Sequence, residues 1–445
     1  MTSDDLHKYV DVAVRMTLDS ISFSNPLPPW EDQTEINFDR RAALIHKRAD
    51  SYLSGAESAQ LPTRIRVPHK DGAAKTWTIP SVNDQIILQL CAFALSERLE
   101  SVIDRKRVFS YQLNRDLARV QFTTPQVSCW ESFKNATGVR FRGRAMLQVD
   151  LEKAFVSIDR QDFFRFLREA TGDANIPALL ERVLQRLAPP SEGLPLINDS
   201  VFYLGNAYLT VVDKEIAAAS EDFIRFVDDY RIFGDSKEHV ESLLQRINER
   251  LARTSFRINP RKTKAGDESE YLNAISEIRS AETTEGGYVS AVELSGVVDP
   301  ETLAGLIARA ITRPGDLTEG IGRFLMQAVR RMRLNHGWVK DRKFYDSPLT
   351  EFGKALTSAV PEDTLEAALQ KHANPHEEWR FIWLLYVAED HESGGFVEPA
   401  NPSALSPVTR AWLARARGGR GQKLTIDQQH DMSYAAAGRA LYGAR

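Results

Sequence analysis

"RFVDDYRIF", Arg225 to Phe233, sets two adjacent carboxylates between two short apolar runs. The surrounding "EDFIRFVDDYRIFGDS" reads as strand, two-residue turn, strand. Two like charges side by side repel, so the pair is either a solvated turn or part of a site that gathers cations. The dipeptide alone does not separate these readings. Asp4 and Asp5 also stand together, in a chain where 27% of residues are charged.

A second acid shares the pattern. In "GRAMLQVDLEKAF" a short apolar strand, Ala145 to Val149, ends on Asp150. If the two strands are neighbours in one sheet, Asp150 and Asp228 lie at one edge, where carboxylates on rigid elements can share two divalent metals about 4 Å apart. Taken singly, Asp150 also suits a strand-end cap and Asp228-Asp229 a hairpin turn, for which acids are favoured.

The rest of the chain sets the frame. Its 445 residues, 42% of them hydrophobic, suffice for two or three domains with a sizeable core. The longest apolar run, "FIWLLYVA" from Phe381, is far too short to span a bilayer, and "MTSDDLHKYV" lacks the features of a secretory signal. A cytoplasmic protein without membrane contact is expected. Cys91 and Cys129 are far apart with no histidine beside them, which excludes a disulfide framework and a cysteine zinc site and predicts buried thiols. The net charge of −4 disfavours a protein that merely coats nucleic acid, but Lys and Arg outnumber Asp and Glu between Leu61 and Val120, and "RFLMQAVRRMRLNHGWVKDRK" is more basic still.

Periodicity predicts a helical N-terminal stretch, a hairpin over "TRIRVPHKDGAAKTWTIP", and a densely apolar central helix from Ser81. Helices are expected over 160–190, then a loop turning into helix in "GLPLINDSVFYLGNAYLTVVDKEI", and a helix capped by Asp235 with Glu238 three residues on. Beyond about residue 290, Asp299-Pro300, Asn374-Pro375 and Ser406-Pro407 each place a capping residue before a proline at the first helical position. An all-helical C-terminal domain follows from these signals.

Seven short stretches, in order, resemble the motifs of reverse transcriptases. "KDGAAKTWTIPSVND" is similar to the fingers hairpin and "VFSYQ", Val108 to Gln112, to a second fingers motif. "VDLEKAFVSIDR" and "FVDDYRIFG" resemble the two acidic palm motifs, with "GLPLINDSVFYLGNAYL" between them. "RINPRKTKAG" and "EYLN" resemble the lysine-bearing and primer-grip motifs. The resemblance implies an α+β right-hand fold: an N-terminal helical extension over 1–60, fingers and palm over 61–275, and a helical, thumb-like C-terminal domain over 276–445.

It further implies Asp150, Leu151, Asp228 and Asp229 around two Mg²⁺ ions, with Mn²⁺ as a substitute, and Lys262 acting on the departing pyrophosphate. Lys70 and Lys75 would grip the triphosphate, and Leu151, Phe155 and Asn206 would line the nucleotide, the Phe155 ring rejecting a 2′-hydroxyl. dNTPs are the implied substrates, an RNA template or noncoding RNA the implied partner, and DNA the product.

Three departures stand out. Leu196-Ile197 replaces a Gln-Gly pair, Gln85 replaces an arginine, and Phe226 replaces the tyrosine before the acid pair. With "VFSYQ" and the helical C-terminal region, they resemble bacterial abortive-infection and defence-associated members. Within that group some members work without an ordinary template, some start from a protein hydroxyl, and several form oligomers. A priming hydroxyl here, if one is used, would be one among Tyr345, Tyr386, Tyr434 and Tyr442. The alternatives are a retron-like or intron-like enzyme copying a specific RNA, and a catalytically silent RNA-binding scaffold. The absence of "VTG" in the C-terminal region weighs against the former, the retained acids against the latter.

Overall fold

The computed structural model describes residues 6–24, 38–59, 61–68, 74–114, 122–220, 222–267, 299–313, 325, 328–329, 351–388, 390–391, 399–405, 409–410 and 413. The chain divides into two compact units. One comprises residues 1–17, 42–59 and 84–289, the other 18–41, 60–83 and 290–445.

The first unit is built on a four-stranded antiparallel sheet in the order β4-β5-β3-β6, with β3 at Ala145–Asp150, β4 at Phe223–Phe226, β5 at Asp229–Gly234 and β6 at Lys264–Asp267. Alternation along the strands divides the side chains between two faces. Met146, Gln148 and Asp150 of β3 stand opposite Phe233, Arg231 and Asp229 of β5, and so share one face. Its far end is apolar, where Met146, Ile224 and Phe233 pack with Phe133 and Phe141 of helix α4, Gln126–Phe141. Its near end carries the acids. The other face, with Leu147, Val149, Tyr230 and Ile232, is buried.

After helices α1, Val10–Ser24, and α2, Phe38–Ser54, helix α3, Val82–Val102, follows the apolar pattern that predicted a central helix; Ile86 to Leu88 and Leu90 to Ala92 are fully buried. The predicted stretch 160–190 is two helices, α5 Arg160–Thr171 and α6 Asn175–Leu187, parted where Gly172 takes a left-handed φ of 62°. The loop-to-helix segment gives α7, Asp199–Tyr208, and α8, Thr210–Ala217. Helix α9 spans Lys237–Leu251 and buries Val240, Leu243, Ile247 and Leu251 as predicted. Its cap is Ser236 rather than Asp235: the Ser236 hydroxyl accepts from the His239 N–H. Serine in an extended conformation reaches that donor as readily as aspartate does. Cys91 and Cys129 are free and buried, and burial pushes the Cys91 thiol up to about 12.

In the second unit, β1 (Thr63–Pro68) pairs antiparallel with β2 (Ala74–Ile79), as the hairpin pattern predicted. The helices there are α10 Pro300–Thr312, α11 Glu351–Ala359, α12 Glu362–His372 and α13 Glu378–Ala388, the last packed on β1. Asp299 caps α10 through the Thr302 N–H. The second predicted cap differs. Asn374 accepts from the His376 N–H in a turn, and α13 starts only at Glu378; the Asx turn competes locally with helix initiation. Ser406-Pro407 lies outside the described residues.

Candidate active site

The turn that opened the sequence reading is a tight hairpin. Phe226 pairs with Asp229, leaving Val227 and Asp228 as its two central residues. Asp150 is the register partner of Asp229 across β3 and β5, and the Leu151 N–H donates to the Asp228 carbonyl (3.1 Å). Three carboxylates from two strand ends thus meet at one edge, and facing residues in such a pair sit about 5 Å apart.

A second turn closes the site. Asn259 accepts at its carbonyl from the Lys262 N–H and the Thr263 hydroxyl, and at its side chain from the Arg261 N–H. This turn presents Lys262 Nζ 3.1 Å from Asp150 Oδ1, while Asn259 Nδ2 donates to Asp150 Oδ2 (3.2 Å). The Asn259 N–H also donates to the Asp150 carbonyl (2.8 Å), fixing the turn to the strand end.

Asp229 is paired with an arginine of its own strand. Arg231, two residues along the same face, donates to its Oδ2 (3.0 Å) and to Gln148 Oε1 (2.7 Å). Its Oδ1 is buried with no hydrogen-bond partner. Burial raises the carboxyl to about 6; Arg231 opposes that rise, and the charges of Asp228 and Asp150 reinforce it. An orphaned buried carboxylate oxygen beside two further acids is a donor set suited to a hard cation. Among the described residues, no three His, Cys, Asp or Glu side chains form a ready-made metal cage. Lys262 and Arg231 supply the positive charge at this edge.

Phe155 follows β3 and stacks edge-on against Phe202 (ring centroids 5.5 Å apart). Its carbonyl accepts from the Leu194 N–H (2.9 Å). Two glycines seat it. A Cβ on Gly205 would lie 2.3 Å from the ring, and one on Gly193, at φ +58°, would lie 2.4 Å from the Phe155 carbonyl oxygen. Arg160 donates to the Gly193 carbonyl and to the carbonyls of Leu184 and Ala188, tying this loop to the end of α6. Leu196 is half-exposed and Ile197 buried at the same loop, so an apolar edge stands where the resemblance placed a polar one.

Asn206 has no exposed surface, and its amide is committed to Ser110 and Arg225, so a nucleotide contact is replaced by a structural one. Leu151 is buried and bridges to Ile258. Lys70, the Lys75 side chain, "EYLN" and the basic stretch at Arg330 and Arg331 lie outside the described residues. Of the tyrosines, Tyr386 is buried in α13, which removes it as an accessible hydroxyl; the other three are outside the description.

Sequence reading missed Arg231, Asn259 and a buried ion pair. Arg225 is fully buried and donates to both carboxylate oxygens of Asp213 (2.7 and 2.9 Å), to which the Tyr230 hydroxyl also donates (2.9 Å). An arginine at an inward position of an apolar strand demands such a partner, and that was the available signal. Phe226, whose missing hydroxyl the sequence raised, packs its ring between Trp130 and Phe133.

An antiparallel sheet that brings acids from a strand end and a hairpin turn to one edge, with a lysine beside them, has the plan of a nucleotidyl-transfer palm. Residues 67–275 match the family model described as reverse transcriptase (RNA-dependent DNA polymerase). The match supports a reverse transcriptase domain over that segment, with nucleotides and nucleic acid as its substrate classes and RNA-directed DNA polymerisation as its activity. A comparison with curated proteins gives no match. No helix among the described residues is long and apolar enough to cross a membrane.

Proposed function

We propose that this chain is a Mg²⁺-dependent DNA polymerase that builds DNA from dNTPs, on an RNA template or without one, in antiphage defence. The observation that carries the reading is the pairing of Asp150 with Asp229 beside the Asp228 turn, with a buried Asp229 oxygen that has no partner. Asp150, Asp228, Asp229 and the backbone at Leu151 would hold the ions; bound there, they supply an activated primer hydroxyl and charge neutralisation at the phosphates.

The chain's own groups do the rest. Lys262 would exchange its contact with Asp150 for the departing pyrophosphate and give it a proton, a role its 3.1 Å contact supports. The Phe155 ring, backed by Gly205, limits the sugar to one without a 2′-hydroxyl. Leu196, half-exposed, offers apolar surface where template would lie, and Ile197 backs it from the interior, which supports unconventional template handling. The defence role rests on the resemblance carried by "VFSYQ", Phe226 and Leu196-Ile197, with residues 1–60, 61–275 and 276–445 as extension, fingers–palm and helical domain.

The test is incubation of purified protein with Mg²⁺ and each labelled dNTP, with and without RNA, followed by protease digestion. Incorporation that vanishes in Asp228→Ala/Asp229→Ala while the circular dichroism spectrum is kept is the expected result. Label that shifts on proteolysis identifies protein priming. Undiminished incorporation by the double variant refutes the site, and silence in every lane favours the scaffold. Loss of phage protection in cells by the same variant checks the defence role.

A further inference from the structure

Val227 is held in a conformation its side chain disfavours. Its φ is +56°, in the left-handed region where a β-branched residue is an outlier and where a two-residue hairpin ordinarily uses glycine. Both of its backbone groups are engaged. Its N–H donates to Ser110 Oγ (2.8 Å), and its carbonyl accepts from Arg225 Nη1 (3.0 Å). The same two residues meet again at Asn206, whose Oδ1 accepts from Ser110 Oγ (2.8 Å) and from Arg225 Nη1 (2.7 Å). Ser110, Asn206 and Arg225 are each fully buried.

The network is anchored on both sides. Asp213 holds the guanidinium bidentately, and the backbone of Arg225 is zipped to the preceding segment, its N–H donating to the Arg107 carbonyl (2.8 Å) and its carbonyl accepting from the Phe109 N–H (3.0 Å). "VFSYQ" is thereby attached to the strand that leads into the acid turn.

We propose that Ser110, Asn206 and Arg225 form a latch that imposes the left-handed conformation on Val227 and so positions Asp228 and Asp229. These are positioning residues, each sealed from the surface. Serine suits the post, because one hydroxyl accepts from the turn while donating to Asn206. The strain stays local, since the surrounding groups over-determine the turn. The activity arm of the following test rests on the polymerase reading above; the exchange arm does not.

The experiment compares wild type, Ser110→Ala, Val227→Gly and the double variant by amide hydrogen exchange and by steady-state dNTP incorporation. The latch predicts that Ser110→Ala speeds exchange at the Val227 amide by about tenfold or more and lowers kcat by about tenfold, with KM for dNTP nearly constant. It also predicts that the same substitution made in the Val227→Gly background costs about threefold or less in kcat, because glycine takes the positive φ without help. A merely structural serine would give equal losses in both backgrounds, and that result overturns the proposal, as does unchanged exchange at Val227 in Ser110→Ala. If Ser110→Ala fails to fold, Ser110→Cys, which leaves no cavity and weakens the acceptor, carries the same comparison. If wild type incorporates nothing, the polymerase reading fails and the exchange data alone decide the latch.

Discussion

Replacing Asp229 by asparagine should stabilise the metal-free protein at neutral and alkaline pH and do nothing for it in acid. Burial lifts this carboxyl from its ordinary 3.8 to about 6. The folded protein therefore holds the proton more tightly than the unfolded chain does. That contribution to stability is complete below pH 3.8 and is lost as pH rises through about 6. At about 1.4 kcal/mol per pH unit, the ionised carboxylate costs the fold about 3 kcal/mol. The variant recovers less than this, because the charged contact with Arg231 goes too, although Arg231 keeps its bond to Gln148. A net gain of about 2 kcal/mol at pH 8 is expected, or roughly 5 °C in Tm. The assay is chemical denaturation of wild type and Asp229→Asn in EDTA across about pH 4 to 8. The two curves should converge toward pH 4 and separate through pH 6, and added Mg²⁺ should stabilise wild type more than the variant. A variant equally or less stable at pH 8, or a difference that does not change with pH, would refute the reasoning.

Three further outcomes follow from the same geometry. Phe155→Ala should admit ribonucleotides, read as a fall in the ratio of kcat/KM for dNTP over rNTP; an unchanged ratio would remove Phe155 as the gate. Gly205→Ala drives a methyl into the Phe155 ring, so it should destabilise the fold by about 1–3 kcal/mol and lower incorporation, with Phe155→Ala in the same chain relieving most of the stability loss. Asp213→Ala leaves the buried Arg225 guanidinium without its carboxylate and should cost about 3–5 kcal/mol in urea unfolding, whereas exposed Arg165, paired with Asp162 on the surface, should tolerate loss of that partner with little change.

Much of the fold was legible because strand and helix periods are local. The apolar alternation of Ala145 to Val149, the run before Asp228 and the face of Val240, Leu243 and Ile247 each name their element without reference to the rest of the chain. Caps were less secure. Ser236 and Asp235 offer a similar acceptor one residue apart, and only the backbone conformation chooses between them. Asn374 could begin a helix or close a turn, and the turn won.

The sequence by itself determined where the acids stand, since Asp150 and the Asp228-Asp229 pair each close an apolar strand, and it determined that a lysine-bearing turn follows them. Tertiary structure alone decided how those groups are arranged. Register makes Asp150 the partner of Asp229, an oxygen of Asp229 is orphaned by burial, and Asn206 is buried in a network with Ser110 and Arg225. The physical reason is distance along the chain. Local patterns fix what an element is, but burial, register and the pairing of a charge such as Arg225 depend on neighbours that fold in from elsewhere. The "RFVDDYRIF" turn is therefore readable as a hairpin from its own residues, while the force that holds Val227 left-handed comes from residues that no local pattern contains.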